Sequence, residues 1–306
     1  MSSYRSKWSV IATREQLLSD NGCVTESKTI GGLKFKVEAI IAFNPPTLQV
    51  ELICDTFNEK PALLYNFVYH SRLVVSVDQL RVVKKDSGSV AYVANPIGYD
   101  VYTNEVPFNY INALKIELEV RFDNFRTLDL SRYNELYADT LLNLNDDMQI
   151  WVSKNLLSFH STYFERFFNE NNTVDLHDDR GRPPNEFTLN VEFYVFLIFL
   201  YCIYGFKEPD LSLVYEPLPA IMEVPHRFEC EMASQKIETN LMNMNVTKTR
   251  NLFEKADECR MFRLVERIIS KMSRDEIKDL ATQCALGDAY SPSTRQLVME
   301  QMSEYF

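Results

Sequence analysis

The sequence predicts an α+β multidomain chain: an N-terminal antiparallel β-sandwich, then an α/β domain, then a short helical C-terminal extension. Three observations predict it. Apolar residues recur with a period of two up to Phe122, and after Lys154 the spacing changes to three and four. The chain is also long enough, at 306 residues and 46% hydrophobic, to build two cores.

Residues 1–30 are polar and weakly patterned. From Gly31 onward Leu33, Phe35 and Val37 alternate with Lys34, Lys36 and Glu38, and Leu48, Val50 and Leu52 alternate with Gln49 and Glu51. Leu73, Val75 and Val77 repeat the pattern. Between Leu114 and Phe122 the apolar residues face one way, and Lys115, Glu117, Glu119 and Arg121 the other. Half-buried strands of this kind, separated by turn residues at Asn44-Pro-Pro46, Asp86-Ser-Gly88 and Asn95-Pro96, argue for a sandwich over 28–126. Residues 127–137 read as a linker with helical character.

The second region is organised around Met148–Glu170. Met148–Val152 is a short apolar strand. After Ser153 and Lys154, the residues Leu157, Ser161, Phe164 and Phe168 fall at steps of four, three and four, on one face of a helix or helix pair. Phe167 widens that stripe, while Glu165, Arg166 and Asn169 point away. Upstream, Asp139, Leu141, Leu142 and Leu144 mark a strand, and Asn145-Asp-Asp147 a hairpin turn. Downstream, 171–184 reads as a polar loop and Phe187–Leu189 as a short strand. The apolar run 193–204 would span about 18 Å as a helix, against roughly 30 Å for a bilayer core, so it is a buried helix and no membrane span.

Residues 206–245 hold four prolines (Pro209, Pro217, Pro219 and Pro225) and little periodicity. An extra loop, a poorly ordered insertion and a gene-model artefact all fit, and the poorly ordered insertion is favoured. A helical pattern resumes with Thr247 as N-cap, runs through Leu252, Phe253 and Ala256, and continues at Met261, Leu264, Val265, Ile268, Ile269 and Met272. Helices over Glu276–Leu286 and Thr294–Met302 fill the extension 273–306.

The string Val-Ser-Lys-x-x-Leu-Ser-x-x-Ser-x-Tyr-Phe-x-x-x-Phe, ending at Phe168, resembles the heart of the BTB (POZ) domain. That family usually reads Val-His-Lys-x-x-Leu-Ala-x-x-Ser-x-x-Phe here. Lys154, Leu157, Ser161 and Phe164 keep its spacing, and Ser153 replaces the usual His, a departure common in nematode-like members. The buried helix ending Ile-Tyr-Gly and the segment Leu252–Cys259 are similar to later BTB helices. The resemblance places a BTB domain at 138–272, with the irregular insertion 206–245 inside it. A sandwich directly before such a unit resembles the MATH–BTB proteins, whose first domain is MATH/TRAF-like; Gly98–Phe122 is similar to the end of a MATH domain.

From this resemblance follow expectations about function. A MATH-like sandwich would hold a target protein. The BTB domain would form a homodimer through its first strand and helix pair, including Asp139 and Leu157. Phe168-Asn169-Glu170 matches a hydrophobic-x-Glu triplet with which BTB adaptors contact the cullin-3 scaffold, which makes Phe168 and Glu170 candidate contacts. The chain is then a substrate adaptor for a cullin-3 type E3 ubiquitin ligase, acting by proximity. The alternative is a self-associating or transcription-associated scaffold that binds no cullin.

Enzymatic chemistry finds little support. The four histidines, 70, 160, 177 and 226, have no metal-binding or triad context. His226 and Cys230, at one turn's spacing, are too few for a zinc site. Gly31-Gly32 lacks the Gly-Lys-Ser/Thr of a phosphate loop. No cofactor is expected. A net charge of −11 and scattered basic residues argue against nucleic acid, the nearest clusters being Arg81–Lys85 and Lys248–Arg250. The six separated cysteines suit a reducing cytoplasm or nucleus, and the N-terminus shows no apolar signal-peptide core.

Overall fold

The computed structural model describes residues 3–19, 23–43, 46–54, 62–77, 80–91, 97–102, 113–170, 186–207, 211, 217–245, 249–286 and 290–305. The chain divides into two compact units, Met1–Ser131 and Arg132–Phe306.

The first unit is antiparallel throughout. One sheet has the order β1 (Tyr4–Thr13), β9 (Ala113–Asp129), β6 (Leu63–Val77), β7 (Leu80–Ala91). The other runs β2 (Cys23–Val24), β4 (Leu33–Phe43), β5 (Pro46–Cys54), β8 (Ile97–Tyr102), with β3 (Lys28–Ile30) also on β4. Alternation decides which side faces inward. Leu114, Ile116, Leu118, Val120 and Phe122 from β9 join Leu33, Phe35 and Val37 from β4 in a single buried cluster. Phe35 stands 5.0 Å from Phe122 and 5.8 Å from Phe67 between ring centroids, so the two sheets share one core.

Three expectations are corrected here. The weakly patterned start contains β1, which pairs along β9 from Tyr4↔Phe122 to Thr13↔Ala113 and buries Trp8 and Ala12. A capping box between Thr13 and Gln16 then starts helix α1 (Arg14–Leu18). Asp86-Ser-Gly88 is no turn: it lies inside β7, opposite Ser71, His70 and Tyr69, and the hairpin closes at Val77↔Leu80. The expected helical linker begins instead as strand, since β9 continues to Asp129. Gly31 and Gly32, at φ +58° and +87°, form the two-residue turn between β3 and β4, a conformation that favours glycine at both positions. A Cβ on Gly31 would also strike the Phe125 ring at 2.4 Å. The expected turns at Asn44-Pro45 and Asn95-Pro96, the loop 171–184 and the cap Thr247 lie outside the described residues.

In the second unit a three-stranded sheet places β10 (Thr140–Asn143) between β11 (Gln149–Val152), antiparallel, and β12 (Glu186–Thr188), parallel. A 3₁₀ turn at Asn145–Asp147 joins β10 to β11 as expected, with Asp147 at φ +56°. Then follow α2 (Lys154–His160), α3 (Thr162–Glu170) and α4 (Phe193–Ile203). All of α4 except Tyr194 is buried, and it ends at Gly205, whose φ of +65° lets Phe206 N donate to Tyr201 O. No helix among the described residues is long and apolar enough to cross a membrane.

The irregular insertion is the largest correction. Residues 218–242 fold as α5 (Leu218–Arg227) and α6 (Glu231–Met242). Pro219 sits in the first turn of α5, where a missing N–H costs nothing, and Pro225 comes near its end. Ile221, Met222 and Val224 are buried, as is Phe228 just past the helix. Beyond lie α7 (Phe253–Glu258), α8 (Phe262–Ile269), α9 (Arg274–Leu286) and α10 (Pro292–Tyr305). Two buried carboxylates tie these helices in. Glu238 accepts from Arg263 N at 2.8 Å and Leu264 N at 3.1 Å, closing the start of α8. Asp257 accepts from Ser291 N and Oγ and from Thr294 Oγ1, closing the start of α10.

Candidate protein-interaction surface

The strand–helix–helix unit β11–α2–α3 sorts its residues sharply between core and surface. Leu157, Ser161, Phe164 and Phe168 are all buried, as their spacing predicts. Ser161 stands between the two helices: its hydroxyl donates to Phe228 O at 2.5 Å and accepts from Phe164 N at 3.1 Å, capping α3. Phe164 meets Phe228 at 4.9 Å and Phe168 at 5.6 Å. Phe228, inside the supposed insertion, thus belongs to the core. Only its place in the pattern Ile221, Pro225, Phe228 could have signalled it.

Asp139 lies just before β10, and its carboxylate accepts from Lys154 N at 2.9 Å, at the positive end of α2. Lys154 carries its ammonium 5.8 Å from the centre of the Phe168 ring. Asp139 and Lys154 therefore close the helix start and cover its core.

Phe168 does not match its expected role as a partner-contacting anchor. It is fully buried against Phe164, Phe167 and Phe187, so no edge of it is free to enter a groove on another protein. Glu170 is exposed at the end of α3. Beside it, Arg166 binds Glu229 at 2.6 Å, which raises the guanidinium pKa and lowers that of the carboxyl.

The surface feature that spacing did not single out lies on the other side of α2. A cavity of about 370 Å³ opens there, mainly apolar, lined by Tyr137, Ser153, Leu156, Phe159 and Tyr204 among others. The Tyr204 hydroxyl accepts from Ser153 N at 2.7 Å and donates to Tyr137 O at 2.9 Å. Burial pushes this phenol far above its usual pKa, so it keeps the proton it donates. Two large apolar side chains line the cavity yet stand in solvent: Leu136 is 88% exposed and Phe159 82%. Tyr133, 55% exposed, packs edge-on against Trp151 nearby. The arrangement is a socket with knobs beside it, suited to protein contact.

Residues 128–245 match the family model of the BTB/POZ domain. The second unit carries a BTB/POZ domain. The match covers β10 to α6, including the segment the prolines had suggested was an insertion. It supports protein interaction as the role of this unit. A search of curated proteins finds no match to the chain.

Among the described residues no group of three or more His, Cys, Asp or Glu is placed to hold a metal. His226 lies in the last turn of α5, whereas Cys230 follows Glu229 at φ +49°, off the helix and buried, so the pair does not share a helical face. Burial raises the thiol pKa of Cys230 and Cys284, and that of Cys259 to about 11, which leaves them protonated and poor nucleophiles.

Proposed function

We propose that this chain is a non-enzymatic protein-interaction adaptor that forms a homodimer through the cavity face of its BTB domain. One observation carries the reading: Leu136 and Phe159 project from the rim of the apolar cavity they line. Knob and socket on one face are what a twofold contact needs, since each copy can offer its knob to the other's socket. The family match supports the same use, because BTB domains mediate protein interaction and dimerisation.

In this reading the first unit holds a target protein, as a MATH-like sandwich would. Its place directly before the BTB domain and its two-sheet core support that assignment. Docking to a cullin-3 type scaffold rests on the family alone. With Phe168 internal, Glu170 is the remaining candidate contact, and a self-associating scaffold is the reading the geometry favours. Buried free thiols, Cys202 and Cys230 among them, suit a reducing compartment, cytoplasm or nucleus.

Light scattering on the full chain tests the dimer. The wild type is expected at twice the monomer mass, and Leu136→Arg with Phe159→Arg at monomer mass with unchanged circular dichroism. A wild-type monomer, or a dimeric variant, removes the proposal. Calorimetry against the cullin-3 N-terminal region, with Glu170→Arg, separates the two readings. Binding that the variant abolishes restores the ligase role, and no binding by a folded dimer leaves the scaffold.

A further inference from the structure

The basic residues that look scattered along the sequence meet on one sheet. The outer face of β1-β9-β6-β7 can be read as rows across four strands. In order they are Ile11–Lys115–Ser76–Arg81, Ser9–Glu117–Val74–Val83, Lys7–Glu119–Arg72–Lys85 and Arg5–Arg121–His70–Ser87. Seven Lys or Arg side chains share this grid with two carboxylates, in a chain whose net charge is −11.

The two halves of the grid differ. Across β1 and β9 the charges are compensated: Arg5 pairs with Glu119, Lys7 and Lys115 both reach Glu117 at 2.6 and 3.2 Å, and Arg121 reaches Asp123 at 2.9 Å. Across β6 and β7 they are not. Arg72, Arg81 and Lys85 are exposed and form no ion pair among the described residues. Arg72 and Lys85 stand directly opposite each other, a like-charge cross-strand pair that destabilises the sheet. Between these cations Val83 is 40% exposed.

We propose that the β6–β7 half of this face docks an acidic protein segment in extended form. Such a segment relieves the repulsion between Arg72 and Lys85, and its apolar side chains can rest on Val83. Arg81 and Lys85 lie about 13 Å apart along β7, so carboxylates four residues apart in an extended chain can reach both, with an apolar residue midway between them, on the same face, over Val83. Nucleic acid fits less well. A duplex-binding footprint uses about 6–10 phosphate contacts, and this patch offers three cations on an acidic protein. The inference rests on the first unit alone and stands or falls independently of dimerisation.

Fluorescence anisotropy with the full chain provides the test. The probes are a labelled Glu–Val peptide repeating Glu-Ser-Val-Ser, which sets Glu and Val in turn on one face of the extended chain, the same peptide with Ser for Glu, and a single-stranded oligonucleotide of equal charge. The Glu–Val peptide is expected to bind, and to weaken about tenfold between about 50 and 300 mM salt. Arg72→Glu with Lys85→Glu should abolish binding, Arg81→Gln should weaken it about threefold, and Lys7→Ala, in the compensated half, should leave it within about twofold. Melting curves confirm that each variant is folded, and Arg81→Gln serves if the double reversal is not. Equal binding of the Ser peptide, tighter binding of the oligonucleotide, or no response to these substitutions overturns the proposal.

Discussion

In the first unit the charged side chains of the described residues stand outside and the strand ladders satisfy the backbone; in the second, buried carboxylates reach across to close the ends of other helices. Glu238 and Asp257, the buried acids among the described residues, both belong to the second unit. The cause is geometric. A strand's N–H and C=O groups find partners along the whole neighbouring strand, whereas each helix leaves donors at its start that something must accept. A helical unit therefore accumulates polar joints in its interior, and a sheet unit can keep its charges on the surface. The second unit should respond steeply to single substitutions and the first should be forgiving on its outer face. The two tryptophans fall one in each unit, Trp8 and Trp151, so either can report on its own surroundings.

The largest effect is expected at Phe164, which packs against Phe168 and Phe228 with no exposure. Phe164→Ala should cost about 3–5 kcal/mol in urea unfolding followed by Trp151 fluorescence. A loss below about 1 kcal/mol would mean that the aromatic cluster is loosely packed and the contrast between units false. Next comes Asp257→Ala, which strips three donors at Ser291 and Thr294 of their acceptor; about 1–3 kcal/mol is expected. Hydrogen exchange should show α10 amides opening first. Equal protection across the unit would argue that the joint is not local.

The smallest effect sharpens the comparison from the other side. Glu117 has its carboxyl pKa lowered by hydrogen bonds from Lys7 and then Lys115. A carboxylate depressed in the folded state contributes stability above its unfolded pKa and loses it as pH falls through the folded one. Lys7→Ala should leave the melting temperature nearly unchanged at neutral pH and reduce the acid sensitivity between about pH 5 and pH 3. A large neutral-pH loss would show the sheet face to be as demanding as the helical joints.

The strands with strict alternation, β4, β5 and β9, were legible because their inward positions, Ala39 apart, carry large apolar side chains. β1 was not, since its inward row mixes Ser6, Trp8, Val10 and Ala12, and its pairing with β9 spans more than a hundred residues. The stripe Leu157, Ser161, Phe164 and Phe168 was legible as a buried face, and that same burial removes Phe168 from the surface where a partner would meet it. Prolines hid α5, because their number was informative only together with their positions at its two ends. The cavity rim was illegible: nothing in the spacing of Leu136 and Phe159 distinguishes an exposed apolar residue from a buried one.

The family match ends at residue 245, but Glu238 takes both of its donors from Arg263 and Leu264, beyond that boundary. A fragment cut where the similarity stops would take from this carboxylate both of the backbone donors it accepts from. The stretch that matches the family and the compact unit are thus different lengths, and expression of the second unit should begin from 132–306.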